Sequence, residues 1–110
     1  MRILLTFFLL LSTLLSVAQT RLTIVEFNTE NLFDTRHDSL KDDHEFLPDS
    51  PRHWTRTKYW QKLNRIGQAI IACGEDSSGW SLPDIVGLCE VENDSVLFDL
   101  TRRSLLRKAR

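Results

Sequence analysis

Residues 83–93, PDIVGLCEVEN, constrain this chain more than any other stretch. Pro83-Asp84 is a turn signal, and the β-branched and apolar residues behind it stop abruptly at Glu90, Glu92 and Asn93. Such a run is predicted to be a buried strand carrying polar groups at its C-terminal end. Alternation puts Val86, Leu88, Glu90 and Glu92 on one face and Ile85, Gly87, Cys89 and Val91 on the other. Glu90 then follows two core positions on its own side, where a carboxylate is costly unless it is paired or bound to a cation.

Residues 21–34, RLTIVEFNTENLFD, repeat the design. Leu22, Ile24, Glu26, Asn28 and Glu30 share a face that begins apolar and turns polar toward the strand's end. If the two strands lie parallel in one sheet, Asn28 and Glu30 project from the same edge as Glu90. Two carboxylates and an amide oxygen are hard donors, suited to Mg²⁺, Mn²⁺ or Ca²⁺ rather than to a thiolate-seeking metal.

The pair of motifs, FNTENLFD at 27–34 and PDIV through EVEN at 83–93, resembles the opening of the endonuclease/exonuclease/phosphatase superfamily. Either motif alone is weak, and the two in order, separated by an amphipathic helix, are more specific. The resemblance spans nearly everything after residue 20. It implies an α/β fold, the N-terminal part of a DNase I-like four-layer sandwich, over residues 19–110. It also implies divalent-metal-dependent phosphoester hydrolysis, with Glu90 as metal ligand, Glu30 assisting the metal, and Asn28 as a catalytic residue orienting phosphate or the acid–base groups. The substrate is a phosphoester, with nucleic acid, phospholipid head groups and inositol phosphates all represented in the superfamily. Family enzymes complete the site with a Gly-Asp-x-Asn segment and a late Asp-His pair, and neither occurs here in that context, so the expectation is a fragment inactive by itself. Two alternatives stand beside this one: an inactive remnant, and a small secreted module binding calcium or a protein.

The first eighteen residues, MRILLTFFLLLSTLLSVA, join one Arg2 to an apolar run that ends in Ser16-Val17-Ala18. That pattern predicts a secretory signal peptide cleaved before Gln19, hence export to a periplasmic or extracellular space. The run falls short of the roughly 20 apolar residues of a spanning helix, so no stable membrane anchor is expected after cleavage. Removing Arg2 from the 14 basic residues leaves 13 against 15 acidic ones. That balance excludes a general polyanion-binding surface and leaves only local contacts to nucleic acid.

Cys73 and Cys89 fit no metal motif and are read as buried free thiols. Residues 35–54 form a long acidic loop, with Phe46, Leu47 and Trp54 pinning it to the body. The loop has neither the glycine nor the terminal Glu of a calcium loop. His37, His44 and His53 follow neither helical nor zinc-finger spacing, so they receive no metal role, and Asp43-His44 reads as a chance dipeptide. Over residues 55–73, Tyr59, Leu63, Ile66, Ile70 and Cys73 recur at helical spacing, with Thr55 or Thr57 as cap and Gly74 as stop. Arg56, Lys58, Lys62 and Arg65 near the first half of this helix admit two readings, a phosphate-facing patch and a solvated face, of which the solvated face is preferred. After a polar turn at 75–81, Asn93 or Asp94 caps a last helix with Val96, Leu97, Leu100, Leu105 and Leu106 as its apolar positions.

The export reading is checked by N-terminal sequencing of chain recovered outside the cytoplasm. The expected first residue is Gln19, and an intact Met1 start there contradicts it.

Overall fold

The structure, a computed structural model, describes residues 21–109; the leader read at 1–18 lies outside them. Two strands, β1 (Ile24–Leu32) and β4 (Ile85–Val91), pair in parallel with Ile24 opposite Ile85 and Asn28 opposite Cys89. The connection carries helix α1 (Arg56–Ala72) and a two-residue hairpin, β2 (Glu75–Asp76) with β3 (Gly79–Trp80), where a plain turn is predicted. Helix α2 (Asp94–Phe98) follows β4 and runs into a wide turn of π type at Asp99–Arg103, then a 3₁₀ turn at Leu105–Ala109.

Helix α1 forms where its periodicity says it must. Thr55 caps it, its hydroxyl accepting from the Lys58 amide. The buried stripe is Tyr59, Leu63, Ile66, Gly67 and Ile70, and Cys73 at its end is exposed. With Leu32, Val96 and Leu100 these side chains make the core, and Phe27, Val86 and Leu88 from the sheet pack on it. One face of the sheet therefore meets α1. The other, holding Leu22, Ile24 and Ile85, is more than half exposed.

That layering corrects the predicted strands. The face beginning with Leu22 and Ile24 looks outward, while Val25 and Phe27 turn toward the helix. Strand β4 is covered on one side only, so Cys89, read as a buried thiol, is exposed. The physical reason is that the described residues supply a single helical layer, and a two-stranded sheet needs two layers to bury both faces.

The predicted last helix breaks at Ser104, whose extended ψ of −178° ends the π turn. Leu97, predicted to be apolar core, is 38% exposed. The break lies where the chain crosses α1. There the amide of Leu105 donates to Asn64 Oδ1 at 2.9 Å, and a Cβ on Gly67 would stand 3.2 Å from both the Leu106 amide nitrogen and Ser104 Oγ. A straight helix would pull this segment off the small residue that admits it.

Gly74 does follow α1, for a different reason from the usual helix stop. A Cβ there would lie 1.8 Å from the Ser81 carbonyl oxygen, because the Ser81 amide donates to the Gly74 carbonyl across the hairpin. Backbone blocks the space, so Gly74→Ala is expected to cost about 1–3 kcal/mol through forced displacement. Leu63→Ala, at a position with no exposed surface, is expected to cost about 2–5 kcal/mol. Urea midpoints of the full-length chain measure both, and wild-type midpoints would contradict this account of the packing.

Candidate active site

The register between the strands breaks once. Asn28 faces Cys89 and Leu32 faces Val91, so three residues of β1, Thr29, Glu30 and Asn31, stand against Glu90 alone. Such a bulge bends its strand and re-aims side chains. Here Glu30, Asn31 and Glu90 all take left-handed backbone, with φ of 52°, 59° and 59°. None is glycine, and residues held this way persist only where surrounding contacts over-determine them.

Those contacts are specific. Buried Thr29 donates its hydroxyl to the carbonyls of Cys89, at 2.7 Å, and Glu90, at 3.0 Å, fastening the bulge to β4. Asn28 Oδ1 accepts from the Glu30 amide at 2.8 Å, which fixes the orientation of the side-chain amide. Its Nδ2 then donates to Glu90 Oε1 at 3.1 Å. The Asn31 amide donates to Glu90 Oε2 at 3.0 Å. Under strict alternation Glu90 would lie on the helix-facing side with Val86 and Leu88. The left-handed turn swings it to the exposed side, where Asn28 stands.

Asn28 and Glu90, read from sequence as catalytic and metal-binding residues, are thus in direct contact. Glu30 joins them through its backbone: its amide binds Asn28 and its carbonyl accepts from Lys62 Nζ. Alternation placed the Glu30 side chain on the face of Asn28, and the bulge cancels that count. Each Glu90 oxygen accepts one hydrogen bond and keeps a lone-pair direction toward solvent. An exposed carboxylate held this way fits a hard divalent cation that keeps several waters.

Lys62 is the residue that sequence reasoning missed. Its ammonium donates to the carbonyls of Glu30 and Asn31, the latter at 3.2 Å, satisfying groups that the bulge has turned out of the ladder. It also lies 5.6 Å from the Trp54 ring centroid. Burial lowers its pKa, while the carboxylates of Glu30 and Glu90 work in the opposite direction. One signal was present: Lys62 borders the buried stripe between Tyr59 and Leu63. Arg56, Lys58 and Arg65 are exposed, as predicted for that group.

Behind the bulge the end of β4 is tied to the end of β1. The Asp34 amide donates to Glu92 Oε2 at 2.9 Å. Asn93 uses both ends of its side chain, Oδ1 capping α2 at the Val96 amide and Nδ2 donating to Asp34 Oδ2. Burial pushes the Glu92 carboxyl up, with Asp34 and Asp43 adding repulsion, and its Oε1 is buried without a hydrogen-bond partner among the described residues. These ties join the two motifs: Asn28, Asn31 and, just past β1, Asp34 meet Glu90 and, just past β4, Glu92 and Asn93.

The acidic loop is anchored as its apolar residues imply. Phe46 stacks on Phe33 at 4.2 Å, and Trp54 Nε1 donates to the Phe33 carbonyl. Two of its three histidines come together in a way that their spacing does not show: one ligating atom each of His37, Asp43 and His44 lies within 4.8 Å of the others.

No curated protein and no solved structure matches the chain. The model of the Endonuclease/Exonuclease/phosphatase family matches residues 23–110, from just before β1 onward. The mixed α/β arrangement is accordingly part of a DNase I-like fold, and the chain belongs to the endonuclease/exonuclease/phosphatase family.

Proposed function

We propose that Glu90 and Asn28 serve divalent-metal-dependent hydrolysis of a phosphoester, with Mg²⁺ or Mn²⁺ as the ion and Glu30 as its second carboxylate. The observation that carries this reading is the left-handed Glu90, whose carboxylate is gripped from two sides yet open to solvent. A divalent ion supplies charge stabilisation at phosphoryl oxygens when bound. The chain's own residues set the geometry around that place. Asn31 and Asn28 hold the Glu90 carboxylate in one orientation, and the second Nδ2 hydrogen of Asn28 remains available to a phosphate oxygen.

Lys62 supports the same reading from below. It holds the bulge carbonyls and its positive charge offsets part of the negative charge of Glu30 and Glu90. Beyond Asp34, a cavity of about 100 Å³ is lined by Arg36, Arg56 and Arg103 together with Tyr59 and Asp99. Arg103 there is paired with Asp99 at 3.1 Å, and we read Arg36 and Arg56 as the cations for further phosphates of a longer substrate, such as a nucleic-acid strand. Family members act on phosphoesters with the help of divalent metal, and export to an extracellular or periplasmic space remains part of this proposal.

Mn²⁺ titration of the full-length chain separates the roles. Glu90→Gln keeps the size of the side chain and one of its two acceptor oxygens but removes its charge, and is expected to weaken Mn²⁺ binding more than about 100-fold. Asn28→Ala removes the grip on Glu90 and the acceptor for the Glu30 amide but leaves the carboxylate in place, and is expected to cost about 10–100-fold. In a longer form that carries the Gly-Asp-x-Asn segment and the Asp-His pair, metal-dependent cleavage of a phosphodiester is expected to fall in the same order. Wild-type Mn²⁺ affinity in Glu90→Gln would remove Glu90 from the metal site.

A further inference from the structure

We propose that His37, Asp43 and His44 form a second metal site, for a borderline divalent ion of the Zn²⁺ kind, on the loop between β1 and α1. One ligating atom from each residue lies within 4.8 Å of the other two. The rings of His37 and His44 stack with centroids 4.7 Å apart and planes 29° from parallel. Asp43 is 1% exposed, and its Oδ1 lies 2.6 Å from His37 Nδ1.

The chemistry of the donors sets the choice of ion. Two imidazoles and one carboxylate match Zn²⁺, Cu²⁺ or Ni²⁺, whereas the all-oxygen donors around Glu90 match harder cations. Zn–N distances of about 2.0–2.1 Å put ligand atoms of a tetrahedral site roughly 3.3 Å apart. The His37–Asp43 pair opens slightly from its present contact, and exposed His44 turns inward by about an ångström or more to close the third side.

The site is built rather than casual. The Asp38 amide donates to Asp43 Oδ2 at 2.7 Å, leaving Oδ1 directed at His37. Three protein ligands leave a fourth position for water, the arrangement of a zinc site that is open to reaction or exchange. The Phe33–Phe46 stack next to this loop anchors it to the end of β1.

The test uses the full-length chain without a polyhistidine tag, with Co²⁺ as the spectroscopic probe. Wild type is expected to bind one Co²⁺ with the intense visible bands of four-coordinate nitrogen and oxygen ligation. Those bands are expected to persist in Glu90→Gln and in excess Mg²⁺, which separates this site from the one proposed at Glu90. His44→Gln, at an exposed position that a fold tolerates, is expected to weaken Co²⁺ binding at least about 10-fold, with an unchanged urea midpoint. His37→Asn is expected to do the same. No four-coordinate bands in wild type, bands lost in Glu90→Gln, or wild-type affinity in both histidine variants would each overturn the proposal and leave the cluster as a staple of the loop.

Discussion

Three consecutive residues of one strand facing a single residue of its neighbour is the constraint from which the rest of this site follows. Backbone in the left-handed region costs a non-glycine residue about 1–3 kcal/mol, and Glu30, Asn31 and Glu90 all bear that cost. It is offset where it arises. Thr29 ties the bulge to two carbonyls of β4, Lys62 takes up the carbonyls of Glu30 and Asn31, and the Glu90 carboxylate receives charge-assisted bonds from Asn28 and Asn31. Remove the bulge and Glu90 returns to the face of Leu88, against α1.

The core exists to hold that edge still. Leu32 closes the bulge and is fully buried beside Leu63, Val96 and Leu100. Asn93, by capping α2 and binding Asp34, joins the end of β4 to the loop that follows β1. The polar ends of the two strands are therefore fixed from both sides, by apolar packing under Leu32 and by hydrogen bonds beyond it. Rigid support of this kind is what a positioned carboxylate requires.

Much of this was legible in the sequence. The 3.6-residue stripe of Tyr59, Leu63, Ile66 and Ile70 marked α1, and its Thr55 cap stood in place. Two strands with polar ends, joined through a helix, implied the parallel pair and brought Asn28 toward Glu90. The bulge was not legible, because alternation assumes an unbroken register; Asn31 tolerates left-handed backbone, but two glutamates give no such sign. Lys62 hid in a run of cations because its role depends on carbonyls that the bulge displaces. The His37–Asp43–His44 cluster needs the chain to fold back through Asp38, which residue spacing does not report. Strand apolarity signalled burial on both faces of β4, whereas cover depends on how many layers surround the sheet.

The most direct test is a crystal structure of the full-length chain grown with Mn²⁺, using the metal's anomalous signal to locate it. The expected result is a peak within coordination distance of the Glu90 carboxylate, about 2.0–2.2 Å for an ion of this size class, with Glu90 φ still near 59° and Asn28 still at its side. Glu90 in extended backbone with its carboxylate turned toward α1, or a Mn²⁺ peak elsewhere with none at Glu90, would contradict the link drawn between the bulge and the chemistry.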